Sequence, residues 1–146
     1  MRVGDRMTRT QLTVKPWMAV KAASELLHRH RIYHLLVMDQ GRLVGIVTQQ
    51  DIRRALQLGV TRLEFHELLY LLDTVRVQDI MTTEIISVTP DTPVEEAARI
   101  MVEKRIGCLP VLKGETLVGI VTRDDLLAAL VDSAGVWSTP GCIEAA

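Results

Sequence analysis

The 146 residues carry 17 Lys and Arg against 18 Asp and Glu, a formal net charge of −1, with 48% hydrophobic and 3% aromatic residues. That balance is ordinary for a globular domain and excludes a disordered chain or a uniformly basic polyanion binder. No apolar run reaches the roughly 20 residues that cross a bilayer, and Met1-Arg2-Val3-Gly4-Asp5 has no secretory apolar stretch, so a cytoplasmic protein without membrane contact is expected. Cys108 and Cys142 have no second pair with which to build a metal site or a disulfide framework, and read as ordinary thiols. The small net charge hides a split: residues 1–56 hold 10 basic against 4 acidic side chains (+6), and residues 57–146 hold 7 against 14 (−7).

The chain repeats itself. Shifted by 74 positions, residues 3–56 fall on 77–130 without a gap. Val3-Gly4-Asp5-Arg6-Met7-Thr8 meets Val77-Gln78-Asp79-Ile80-Met81-Thr82, and Leu43-Val44-Gly45-Ile46-Val47-Thr48 meets Leu117-Val118-Gly119-Ile120-Val121-Thr122. Asp51 then meets Asp125. A single copy of about 54 residues buries too little surface to be safely stable alone, so the copies are expected to share a core.

In chain order, the first copy predicts a helix over 20–29, a strand over 35–38, a turn at Gln40-Gly41, a strand over 43–47 and a helix over 51–58. Trp17-Met18-Ala19 precedes its first helix and offers no cap. Residues 63–75 alternate leucines with Glu64, His66, Glu67 and Asp73, as a connecting helix would. In the second copy Val88-Thr89-Pro90 ends an extended stretch. Thr92-Pro93-Val94-Glu95 then reads as N-cap, N1 proline and N3 glutamate of a helix whose apolar face is Val94, Ala97, Ala98 and Met101. A strand over 108–112, a turn at Lys113-Gly114-Glu115-Thr116, a strand over 117–121 and a helix opened by Thr122-Arg123-Asp124-Asp125 complete the β-α-β-β-α unit. The expected divisions are 1–58, a connection over 59–76, 77–131, and a tail over 132–146 in which Trp137 covers apolar surface.

D-x-M-T, a helix, an L-P-V strand, a turn and G-I-V-T-x-x-D, in that order, make this chain resemble a tandem pair of CBS (cystathionine β-synthase) domains, a Bateman module, over about 3–130. The resemblance implies a mixed α/β (α+β) fold with two repeats related by pseudo-twofold symmetry, a flat dimer formed through helices, and two clefts that take an adenosine-containing ligand. AMP, ADP, ATP or S-adenosylmethionine would serve there as a regulatory ligand rather than a required cofactor. The first cleft would combine Tyr33, His34, Ile46, Thr48 and Asp51 with Thr92, Ala97, Ile106 and Gly107. The second would combine Cys108, Ile120, Thr122 and Asp125 with Met18, Ala23, Ile32 and Tyr33. In this reading the aspartates accept from ribose hydroxyls, and the threonines and helix N-termini face phosphate. From the residues alone Thr-x-x-Asp is also a near variant of the capping box. His34 matches Cys108 and Thr92 matches Met18, so the cleft with Asp51 suits a phosphate better.

His28, His30 and His66 lack ligand-bearing companions, and His34 reads equally as a strand-edge histidine. Gly45 and Gly119 sit inside strands, where a missing side chain admits a ligand or another backbone. Neither belongs to a dinucleotide or P-loop motif, and no nucleophile has an activating partner, so no enzyme is expected. The leading reading is a regulatory module that binds an adenosine-containing ligand and modulates an unidentified protein target. A ligand-independent scaffold is the alternative, and nucleic-acid binding rests only on the +6 first half. The charge split also predicts a homodimer paired head to tail.

Overall fold

The computed structural model describes residues 1–9, 12–60 and 73–133, except the side chains of 56–60. The proposed connecting helix lies largely outside the described residues, with Asp73 and Thr74 helical at its end, and so does the tail with Trp137. After a short 3-10 turn (Val3–Asp5), the elements are β1 (Thr13–Val14), α1 (Val20–His30), β2 (His34–Asp39), β3 (Arg42–Thr48), α2 (Gln49–Val60), α3 (Val77–Ile80), α4 (Val94–Lys104), β4 (Cys108–Lys113), β5 (Thr116–Thr122) and α5 (Arg123–Ser133). No helix among the described residues is long and apolar enough to cross a membrane.

These elements form two compact units, one of Gln11–Ile85 and the other of Met1–Thr10 with Ile86–Ala146. The packing unit and the sequence repeat are therefore different segments of chain. Each repeat lends its opening D-x-M-T segment to the body of the other.

In the unit over 11–85, β2 and β3 form an antiparallel hairpin and β1 joins β2 in parallel through Thr13 opposite Leu36 and Val14 opposite Val37. Its turn residues Gln40 and Gly41 both take positive φ, 50° and 77°. Consecutive positive φ values are the twist a two-residue hairpin needs. The core collects Val14, Ala23, Leu27, Leu35, Val37, Val47 and Ile52, with Val77 from the borrowed segment. The other unit repeats this packing position by position: an antiparallel β4–β5 hairpin, Val88 bridged in parallel to Val111, and a core of Val88, Ala97, Met101, Leu109, Val111, Val121 and Leu126 with borrowed Val3. Alternate strand residues and one stripe of each helix thus bury the same apolar pattern twice.

The helix starts depart from the expectation. α4 begins at Val94 with Pro93 as its N-cap residue, and neither it nor α1, capped by Ala19, has a side-chain cap. The Thr92 hydroxyl instead accepts the Thr89 N–H at 3.0 Å. The leading N–H groups are satisfied by backbone: Val20 donates to the Val75 carbonyl at 2.9 Å, and Val94 to that of Met1 at 3.1 Å. A carbonyl from the borrowed segment does the work of a cap, which lifts the need for a capping side chain in both repeats. Both helices close on a left-handed arginine, Arg31 at φ 53° and Arg105 at φ 55°.

Candidate functional site

The strand-to-helix junction is built twice. In one unit the Thr48 N–H donates to Asp51 Oδ2 and the Asp51 N–H donates to Thr48 Oγ1, both at 3.0 Å. In the other, Thr122 N–H donates to Asp125 Oδ2 at 2.8 Å, its hydroxyl donates to the same oxygen at 3.0 Å, and the Asp125 N–H returns to Thr122 Oγ1 at 3.3 Å. This is the reciprocal logic of a capping box with aspartate in the acidic position, so the capping role is real at both places. It occupies one carboxylate oxygen. Oδ1 of Asp51 and of Asp125 accepts no hydrogen bond among the described residues, and all four side chains are partly exposed.

Each junction is tied to the start of its hairpin partner. Gln49 N–H donates to the Tyr33 carbonyl at 3.0 Å, and Arg123 N–H to the Gly107 carbonyl at 2.9 Å. Thr48 lies opposite His34, and Thr122 opposite Cys108. His34 is half-buried, whereas Cys108 is 5% exposed and desolvation pushes its thiol up to about 12. Cys108 is therefore a neutral buried thiol that offers no charge to a ligand.

The expected site residues separate by unit. Met18, Ala23, Ile32, Tyr33, His34, Ile46, Thr48 and Asp51 belong to the unit over 11–85; Thr92, Ala97, Ile106, Gly107, Cys108, Ile120, Thr122 and Asp125 belong to the other. Ala23 and Ala97 are fully buried in their cores, while Tyr33 is 63% exposed. Ile106 and Ile32 are partly buried at the ends of α4 and α1.

Sequence reasoning missed the Met-Thr segment as part of the junction. Ile46 exchanges backbone hydrogen bonds with Thr82 at 3.0 and 2.8 Å, and Ile120 with Thr8 at 3.0 and 2.8 Å, so a borrowed threonine lies beside each β-strand that leads into Thr-x-x-Asp. The strand glycines mark these crossings. A Cβ on Gly45 would lie 2.5 Å from Met81 Sδ, and one on Gly119 would lie 2.8 Å from the Thr8 carbonyl oxygen. The neighbour that excludes a side chain there is backbone and methionine, which was one of the two alternatives. The repeated pairing of D-x-M-T with a strand glycine was the available signal.

With both junctions in view, comparison with known proteins decides the family. The CBS domain family model matches residues 3–58 and 77–132. The chain belongs to the CBS domain family. The CBS domain-containing protein YhcV of Bacillus subtilis is 32% identical over 85% of this chain and 81% of its own length. A solved structure of CBSX2 in complex with AMP is 33% identical, with a TM-score of 0.75 over 91% of this chain and 98% of that one. The CBS domain pair of protein MJ0100, in complex with 5′-methylthioadenosine and S-adenosyl-L-methionine, is 28% identical with a TM-score of 0.78 over 91% and 98%. This CBS chain spans only 23% of a matching homoserine O-acetyltransferase of Methanohalobium evestigatum and 13% of an A-adding tRNA nucleotidyltransferase of Geobacter sulfurreducens. Among the described residues no three His, Cys, Asp or Glu side chains gather as a metal site.

Proposed function

We propose that this CBS-domain protein is a non-catalytic regulatory module that binds an adenosine-containing ligand at its Thr-x-x-Asp junctions. The observation that carries the reading is the divided use of the aspartates: Oδ2 fixes the helix start, and Oδ1 is left without a hydrogen bond among the described residues. A carboxylate held this way presents a rigid acceptor suited to ribose hydroxyls, and the adjoining helix N-terminus favours an anion. The AMP and S-adenosylmethionine complexes of CBSX2 and MJ0100 support the ligand class. The junction with Asp51 is the better phosphate site, because half-buried His34 stands where the other junction has the neutral thiol of Cys108.

Occupancy regulates a partner only if the ligand prefers one conformation, so the measurement is of affinity and of its consequence. Calorimetric titration of the full chain with AMP, ADP, ATP and S-adenosylmethionine is expected to give heat with at least one of them. Asp51→Asn should weaken a phosphate-bearing ligand by about tenfold or more, equivalent to about 1.4 kcal/mol, and Asp125→Asn should weaken it less. Retained affinity in the Asp51→Asn, Asp125→Asn double variant, with the fold intact by circular dichroism, would overturn the assignment. A scaffold independent of ligand would show no heat with any of the four and would keep its partners after both substitutions.

A further inference from the structure

The two Thr-x-x-Asp junctions spend their threonine hydroxyls differently. Thr48 Oγ1 accepts the Asp51 N–H at 3.0 Å and donates to no acceptor among the described residues, so its proton is open to a ligand. The Thr122 hydroxyl donates to Asp125 Oδ2 at 3.0 Å, and that proton is already used. Receiving a phosphate oxygen at the Asp125 junction costs this hydrogen bond, whereas at the Asp51 junction it costs none.

The charges at the two helix starts differ in the same direction. α2 opens with Gln49-Gln50-Asp51 and α5 with Arg123-Asp124-Asp125, so the first turn holds one carboxylate in α2 and two in α5. A helix N-terminus attracts an anion with only roughly half a positive charge, so the second carboxylate adds a repulsion toward phosphate that the α2 start lacks. Arg123 does not restore the balance. Residues two apart lie about 200° apart around a helix, and Arg123 shares the stripe of Leu127 and Leu130, which line the aliphatic groove between α4 and α5 and are 53% and 65% exposed. Its side chain turns away from Asp125.

The third difference lies across the hairpin. Cross-strand partners project to one face of a sheet, so the side chain of Cys108, opposite Thr122, lies on the face that carries the Thr122 hydroxyl. Cys108 is buried, and its thiol has no hydrogen-bond partner among the described residues. A buried thiol packs as a small apolar group and suits a 5′ substituent without negative charge. We propose, resting on the reading of both junctions as adenosine sites, that the Asp125 junction selects an adenosine ligand without phosphate, neutral or cationic at its 5′ position, and leaves phosphate-bearing ligands to the Asp51 junction. The ribose contact through Oδ1 of the aspartate is common to both. The choice is made at the 5′ end, by Thr122, Asp124 and Cys108.

Calorimetric titration of the full chain with AMP, adenosine and S-adenosylmethionine, repeated on Asp51→Asn and on Asp125→Asn, tests this. Asp51→Asn should weaken AMP at least about tenfold and the two phosphate-free ligands less; Asp125→Asn should weaken adenosine and S-adenosylmethionine at least about tenfold and AMP less. Asp124 is exposed and its side chain forms no hydrogen bond or ion pair among the described residues, so Asp124→Gln carries the test even if Asp125→Asn loosens the helix start. Added to Asp51→Asn, it should tighten AMP at least about threefold. Equal weakening of AMP and S-adenosylmethionine by each aspartate substitution would overturn the division while leaving both junctions as adenosine sites, and so would an Asp124→Gln chain that binds AMP no more tightly. No heat with any of the three ligands would remove the adenosine reading itself, and the division with it.

Discussion

The unit over 11–85 and the unit over 1–10 and 86–146 solve the same packing problem with matched residues, yet they differ at several positions where a side chain leaves the core. Inside, Leu35 answers to Leu109, Val37 to Val111, Val47 to Val121 and Val77 to Val3. At the edge, half-buried His34 answers to buried Cys108, and outside, the basic face of α1 and α2 answers to the aliphatic face of α4 and α5. Packing tolerates little change in volume at interdigitated positions, whereas exposed positions on the same backbone vary at small cost. Duplication thus supplied one scaffold and two surfaces, one basic and one aliphatic.

The sharpest test of the comparison concerns the exchanged segments. Val3 and Val77 are both fully buried, each in the core of the other repeat. Val3→Asp should cost on the order of several kcal/mol by burying an unpaired carboxylate. By hydrogen exchange the loss of protection should fall first on Cys108–Lys113 and Thr116–Thr122, about a hundred residues away. Val77→Asp should unprotect His34–Asp39 and Arg42–Thr48 instead. Loss nearest in sequence to each substitution would contradict the exchange.

A smaller difference should separate the two strand glycines. The Cβ of Gly119→Ala would meet the Thr8 carbonyl oxygen at 2.8 Å, and backbone moves only by breaking the Thr8–Ile120 bridge. The Cβ of Gly45→Ala first meets, at 2.5 Å, the thioether of Met81, which has rotamers to spare, and stands farther, at 3.1 Å, from the Thr82 carbonyl oxygen. Overpacking costs about 1–3 kcal/mol, and Gly119→Ala should sit at the upper end of that range with Gly45→Ala below it. Thermal unfolding of the two variants would show this, and the reverse order would remove the distinction between the crossings.

The mildest contrast is between Cys108 and His34. The free thiol titrates at 9.0 and the folded one at about 12 because burial disfavours the thiolate. Above pH 9 the unfolded chain has given up a proton that the folded chain retains, so stability falls as pH rises from 9 toward 12. Cys108→Ala should flatten the decline relative to the parent when denaturant midpoints are compared at pH 8 and pH 10. Parallel pH profiles for the two proteins would show that Cys108 is not desolvated.

Much of this was legible from the chain alone. The hairpins appear where Gln40-Gly41 and Lys113-Gly114-Glu115-Thr116 placed them, the four helices α1, α2, α4 and α5 where the sequence placed them, and the Thr-x-x-Asp junctions at both expected positions, whereas the short α3 was not expected. The reading of Thr92 as a cap failed because a capping preference is local, while the carbonyl that satisfies Val94 comes from the opening of the other repeat. The roles of Thr8 and Thr82 were hidden for the same reason.

What the sequence determined by itself is whatever short-range physics encodes: periodicity, turn chemistry, the 74-residue repeat and the CBS family motifs that ride on it. What only the tertiary structure decided is pairing. Two copies with one pattern offer identical local signals, so nothing near Gly45 says whether Met7 or Met81 fills the space beside it. That choice rests on long-range packing, and it decides which threonine stands beside which aspartate.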